Sequence, residues 1–144
     1  MYSGGMSVAQ ARARTLGLKT AKADELIREI DRGLPFRALQ NFETASGVES
    51  AVIVSVMGIP DRTLARRKAA GRLSPEESER LLRISTIFDK TVDLFEGNVQ
   101  SAVSWLTAPK KALGGESPLR YSRTEIGARE VENLIGRLEH GVFS

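Results

Sequence analysis

Residues 49–57 read ESAVIVSVM, and whether they form a strand or a helix decides the fold class of the 144-residue chain. Val52, Ile53, Val54 and Val56 are β-branched, which taken alone favours a strand. A strand needs a partner, and nothing else in the chain reads as one. A short, fully buried helix is the more economical reading. Gly58-Ile59-Pro60 then makes a turn, Asp61 is placed to cap a helix from Arg62 to Ala70, and Gly71 stops it. Two short helices across a Gly-containing turn are the outline of a helix-turn-helix.

The second helix of that pair is basic. Arg62, Arg66, Arg67, Lys68 and Arg72 follow one another with no acid among them. On a helix Arg62 and Arg66 share a face at i, i+4, while Leu64 turns inward. An arginine fork bonds two acceptors on guanine or on a phosphate, and each phosphate neutralised releases counterions. Thr63 is placed to reach a phosphate or a base edge. The DNA-binding candidates are therefore Arg62, Thr63, Arg66, Arg67, Lys68 and Arg72. An ordinary solvated face is the alternative reading of the same charges. Two positions depart from the usual pattern: Arg67, nine after Gly58, stands where an apolar residue is common, and Val54, four before it, where a small one is. One such unit buries too little surface for tight specific binding, so a homodimer reading two half-sites of an operator is expected.

Upstream, residues 1–20 mix Gly, Ser and scattered bases and read as a flexible arm that adds little to the core. Leu26 and Ile30 mark a helix from about Ala23 to Arg32, with Gly33 at its end. Pro35 suits the first turn of the next helix, which carries Phe36, Leu39 and Phe42 and ends near Gly47. Downstream, Ser74-Pro75-Glu76-Glu77 joins a capping box to an N-terminal proline. The helix it opens runs to about Glu96 and is expected to bury Leu81, Ile84, Phe88, Val92 and Phe95. Asn98 caps another, with Val99, Ala102, Val103 and Leu106 as its buried stripe and Pro109 at its close. Residues 109–121 read as an irregular connector. Ser122 with Glu125 forms a second capping box, opening a last helix with Val131, Leu134, Ile135 and Leu138 on one face and Gly141 at its end. The fold class is all-α, divided into the arm, a helix-turn-helix region over 21–73 and a helical region over 74–144.

Composition narrows the function. Hydrophobic residues make up 41% and charged residues 27%, enough for a packed interior. No Cys and a single His leave no disulfide framework, thiolate metal site or multi-histidine zinc cluster. No stretch approaches the ~20 apolar residues of a membrane span, and no secretory signal core is present, so a cytoplasmic protein is expected. Residues 1–72 carry 12 Lys/Arg against 7 Asp/Glu, and residues 73–144 carry 9 against 11. That asymmetry suits a chain offering one face to a polyanion and another to something else, although chance variation over a solvated surface gives the same arithmetic. Gly114-Gly115 lacks the Lys-Ser/Thr of a P-loop, and no nucleophile elbow exists, so neither an enzyme nor a bound cofactor is expected. Trp105 reads as a core anchor or a binding hot spot. His140 either faces the last carbonyls of its helix or meets a partner. Gly127 and Gly136 each cost a helix ~1 kcal/mol relative to Ala, which suggests another backbone passing close to them.

The run ALGGESPLRYSRTEIGAREVENLIGRLEHGVFS, residues 112–144, resembles the toxin-binding domain of the Xre/MbcA/ParS antitoxins. Ala112-Leu113-Gly114-Gly115, Thr124-Glu125 with Gly127, and Gly136-Arg137-Leu138-Glu139-His140-Gly141 carry the likeness. Trp105-Leu106 with Pro109, Arg62-Thr63-Leu64-Ala65-Arg66-Arg67 and the segment Gly71 to Ser78 agree with it. The resemblance covers residues 33–144 and leaves the arm outside. It implies an Xre-like helix-turn-helix domain packed with a C-terminal toxin-binding domain whose core spans 98–144. It also implies an antitoxin of a type II module that neutralises a RES-domain toxin and represses its own operon. RES toxins resemble ADP-ribosyltransferases and consume NAD, so in this reading NAD belongs to the toxin. The short apolar chain end suits burial in a partner pocket. Arg137, Glu139, His140, Gly141, Val142, Phe143 and Ser144 are accordingly the expected toxin contacts, covering its active-site cleft. The runner-up is a stand-alone transcription regulator whose C-terminal half dimerises or senses.

Overall fold

The computed structural model describes residues 15–18 and 22–141. Its elements are α1 (Ala23–Arg32), α2 (Phe36–Ser46), α3 (Ser50–Met57), α4 (Asp61–Ala70), α5 (Pro75–Leu94), α6 (Val99–Thr107), a 3-10 turn (Lys111–Leu113), α7 (Pro118–Tyr121) and α8 (Glu125–Glu139). Among the described residues there is no strand, only an isolated bridge between Pro35 and Arg72. The ESAVIVSVM stretch is helix α3, with Ile53, Val54, Val56 and Met57 buried and a left-handed glycine, Gly58, at its end. Burial on more than one side outweighs the β preference of its residues.

Helix α5 organises the molecule. The hydroxyl of Ser74 accepts from the Glu77 N–H at 3.1 Å, and the Glu77 carboxylate accepts from the Ser74 N–H at 2.8 Å. Pro75 follows at the first helical position, so the helix start is fixed twice over. The helix packs against α1, α2 and α3 from the first half of the chain and α6 and α8 from the second. Its Phe88 meets Phe42 of α2 edge to face, with ring centroids 5.5 Å apart. One hydrophobic cluster runs from Leu16 and Leu34 through Ile53, Ile84 and Ile87 to Val131 and Ile135. The two halves therefore share a core. Thr86 and Thr91, also buried, donate to the carbonyls of Leu82 and Ile87 one turn back, which satisfies their hydroxyls without a partner helix.

Helices α5 and α8 run parallel. Arg83, midway along α5, donates to the carbonyl of Arg123 just ahead of α8 at 3.1 Å, and Lys90 pairs with Glu132 at 2.6 Å farther along both. A Cβ on Gly127 would lie 1.7 Å from the Tyr121 carbonyl oxygen. The close backbone expected there is the chain's own. Gly136 is different: nothing lies within 4 Å of the position a Cβ would take.

Several local expectations are corrected. Leu16 is 1% exposed and belongs to the core. Its carbonyl accepts from Asn41 Nδ2 at 2.9 Å, and the Thr15 hydroxyl donates to Asp89. Residues 15–18 are thus anchored, not a loose arm; residues 1–14 and 19–20 of the expected arm lie outside the described residues. Pro35 and Pro60 occupy the N-cap positions of α2 and α4, so Asp61 is a first-turn residue and not the cap. Its carboxylate still complements the helix dipole from there. Helix α5 ends at Leu94, with Val92 and Phe95 only half-buried, and Val99 is exposed. The connector at 109–121 contains the 3-10 turn and α7, which Ser117 caps. Thr124, not Ser122, caps α8, accepting from the Gly127 N–H at 3.0 Å. The Ser122 hydroxyl is committed to the Pro118 carbonyl at 2.7 Å. Leu134 and Leu138 are half-buried.

Candidate functional site

The α3–α4 turn is built by backbone conformation. Gly58 is left-handed at φ 71°, its N–H reaches the Ser55 carbonyl at 3.1 Å, and the Ile59 N–H reaches the Val54 carbonyl at 3.1 Å. A left-handed residue costs glycine nothing and most others a steric penalty. Ile59, buried behind the turn, ties it to the core. Helix α4 then crosses the surface with no buried residue of its own. Leu64 is its inward, half-buried contact. Arg62, Ala65, Arg66 and Ala69 are exposed and fall on one side at helical spacing. Arg66 Nη2 reaches the Thr63 hydroxyl at 3.4 Å, while Thr63 itself is half-buried.

Two of the six expected DNA contacts have intramolecular work. Arg67 Nε donates to Glu77 Oε1 at 2.8 Å, and the Glu77 side chain is only 8% exposed. Burial acts to raise the pKa of Glu77, but the bonds from Arg67 and Ser74, with the charge of Arg67, outweigh it and hold the pKa below its ordinary value. The same bond raises the pKa of Arg67. This ion pair explains the departure noted at Arg67: a charged bond to the head of α5 takes the place of an apolar contact. Arg72 Nη1 donates to the Gly33 carbonyl at 2.6 Å. It reinforces two backbone bonds, Phe36 N–H to Gly71 and Leu73 N–H to Leu34, each 2.9 Å. Arg67 and Arg72 thus help hold α4 in place through bonds within the chain. Lys68 is exposed but borders a depression shared with Gln40 and Glu43 of α2. Arg62 and Arg66 remain as the outward pair. The participation of Glu77 in the mounting of α4 was missed, because a capping box accounts for that glutamate completely in sequence terms.

At the other end, α8 runs to Glu139, and the His140 N–H donates to the Gly136 carbonyl at 3.1 Å. Arg137 is half-buried, and Glu139, His140 and Gly141 are exposed. Val142, Phe143 and Ser144 lie outside the described residues. Trp105 is half-buried against the core, with Lys110 Nζ 5.1 Å from its ring centroid. Gly114 and Gly115, both at positive φ, form a turn closed by the Lys110 carbonyl, which accepts from the Gly115 N–H at 2.9 Å. None of the described helices is long and apolar enough to cross a membrane.

Comparison with known proteins identifies both halves. Residues 25–85 match the antitoxin Xre-like helix-turn-helix domain, and residues 90–141 match the antitoxin Xre/MbcA/ParS C-terminal toxin-binding domain. The chain is 42% identical over 132 residues to antitoxin Xre of Yersinia enterocolitica, covering 91% of this chain and 89% of the relative. It is 34% identical to antitoxin Xre of Photorhabdus laumondii over the same shares of the two chains. A more distant relative, the Prs ADP-ribosylating antitoxin of Sphingobium sp., is 26% identical over 136 residues, 88% of this chain and 86% of the relative. Two domains in the same order and near-complete coverage of its relatives lead to one conclusion: the chain belongs to the Xre/MbcA/ParS family of antitoxins and is the antitoxin of a toxin-antitoxin system.

Proposed function

We propose that this antitoxin works through two surfaces, α4 for operator DNA and the end of α8 for its toxin. The observation that carries the first is the exposed side of α4, where Arg62 and Arg66 project beside two alanines. Alanines keep the helix slim enough to approach base edges, and the arginines supply forks for guanine or phosphate. Thr63 and Lys68 flank them. A dimer presenting two such helices would read two half-sites and repress the antitoxin's own operon.

The second surface is Arg137, Glu139, His140 and Gly141 with Val142, Phe143 and Ser144. We place these residues against the active-site cleft of a RES-domain, NAD-consuming toxin, so that neutralisation is steric exclusion of substrate. The ADP-ribosylating description in the name of the Sphingobium relative supports that class of toxin. The antitoxin needs neither catalysis nor a cofactor for this role.

The test is co-expression with the toxin of the neighbouring gene, alongside mobility shifts on the upstream promoter fragment. Deleting residues 141–144 should abolish rescue of growth and leave the DNA complex intact. Arg62→Ala with Arg66→Ala should do the reverse, each lost base contact weakening DNA binding by about 1–3 kcal/mol. Full rescue by the truncated chain overturns the toxin surface. Failure of the intact chain to bind its promoter at low salt overturns the DNA surface. If DNA is bound and no toxin is captured, the stand-alone regulator reading takes over.

A further inference from the structure

Two arginines from outside the α3–α4 pair converge on the last turn of α3. Arg80, on α5, donates to the Met57 carbonyl at 3.0 Å. Arg120, on α7, points its Nη1 at the Ser55 hydroxyl, 3.3 Å away, joining residues 65 positions apart. Ser55 is exposed and borders the depression between α3 and α4, with Pro60, Asp61 and Leu64 on its far side.

The backbone beneath Arg120 is fixed. Arg123, one turn on, pairs with Glu116 at 2.6 Å and clamps the Arg120 carbonyl at 2.9 Å. The Arg123 carbonyl is in turn held by Arg83. Arg123 therefore has a carboxylate, while the exposed Arg120 guanidinium rests on a neutral hydroxyl. One long bond to a hydroxyl neutralises no charge and leaves the other donors of the fork able to bond an anion. In a helix-turn-helix complex the first helix of the pair crosses the phosphate backbone while the second enters the major groove. A cation fixed over the exposed side of α3 lies beside that phosphate track.

We propose that Arg120 is a backbone-phosphate contact that the toxin-binding half lends to the operator face at α3. The inference rests on the DNA-binding reading above and extends the footprint beyond the helix-turn-helix itself. Phosphate contacts add affinity without sequence preference, and that property separates Arg120 from Arg62 and Arg66.

Salt-titrated binding of the full chain to two duplexes tests it, one carrying its own upstream promoter and one of the same composition shuffled. Arg120→Gln should weaken both duplexes by the same factor, roughly three- to tenfold at moderate salt, and reduce the slope of log affinity on log salt by about 1. Arg120→Lys should restore the slope, and Arg66→Ala should erode the preference for the promoter. With the unaltered chain, phosphate-ethylation interference should show a sensitive phosphate that Arg120→Gln no longer reports. Equal affinity and slope for Arg120→Gln, beside weakened binding by Arg66→Ala, overturns the proposal and leaves the DNA reading standing. If the intact chain binds neither duplex at low salt, the DNA reading itself falls and the proposal with it. Should Arg120→Gln prove unfolded by its melting curve, Arg120→Lys and the interference pattern decide: no sensitive phosphate outside the reach of α4 overturns it.

Discussion

Helices α4 and α8 are the two assigned to partners, and the molecule holds them by opposite means. Helix α4 buries no residue and is fastened by polar bonds, Arg67 to Glu77 and Arg72 to Gly33, with Leu64 beneath. Helix α8 buries Gly127, Ala128, Val131 and Ile135 and presses its first turn onto the Tyr121 carbonyl. A helix mounted by charge keeps its outer side free for a large ligand, but its attachment depends on pH. Helix α8 carries one ion pair to α5, Lys90 with Glu132, but a helix mounted chiefly by packing depends less on pH and is intolerant of changes in volume.

The contrast can be broken most directly at Ile135, 2% exposed. Ile135→Ala should cost about 2–5 kcal/mol in urea denaturation, and a loss below about 1 kcal/mol would show that packing is not what holds α8. Gly127→Ala comes next: the added methyl would collide with the Tyr121 carbonyl, at a cost of about 1–3 kcal/mol. Amide exchange should locate the disturbance at α7 and the start of α8, and protection unchanged there would contradict the close approach. Glu77→Gln should cost about 1–2 kcal/mol through weakened bonds to Arg67 and Ser74. Because the pKa of Glu77 is lowered on folding, its contribution is present above the ordinary glutamate value and fades as pH falls through the folded one. Acid unfolding should therefore lose part of its pH dependence in this variant, and identical profiles for the two chains would remove the ion pair from the account. Arg66→Ala should leave stability within about 0.5 kcal/mol, with its effect read only in DNA binding. Smallest of all, Gly136→Ala should stabilise the free chain by up to about 1 kcal/mol, since no atom stands in the way. A loss of stability there would reveal a contact that the isolated chain does not show.

Legibility in the sequence followed the range of the forces involved. Glycine stops at Gly33, Gly47, Gly58 and Gly71, and the Ser74–Glu77 box, act within one or two turns and mark the helices correctly. The helical reading of 49–57 succeeded by elimination, from the absence of any partner strand. What failed depended on distant neighbours. Leu16 is buried by an amide 25 positions away and core residues farther still, and no local periodicity announces that. Ser122 and Thr124 are both hydroxyl residues near the start of α8, and the choice between them was made by the Pro118 carbonyl, which claims Ser122. At the basic helix, sequence counted charges correctly and could not sort them. Arg67 and Arg72 differ from Arg62 and Arg66 only in what the rest of the fold brings to them.

Because α5 packs against helices from both halves of the chain, the chain cannot be divided where its charge changes sign. A graft joined after Leu73 would deprive the helix-turn-helix end of Ile84, Ile87 and Phe88, which share one hydrophobic cluster with the buried apolar residues of α2 and α3. Anyone exchanging operator specificities between such proteins should carry the long helix along with the reading end and place the seam near Gly97, where a positive-φ turn already interrupts the chain.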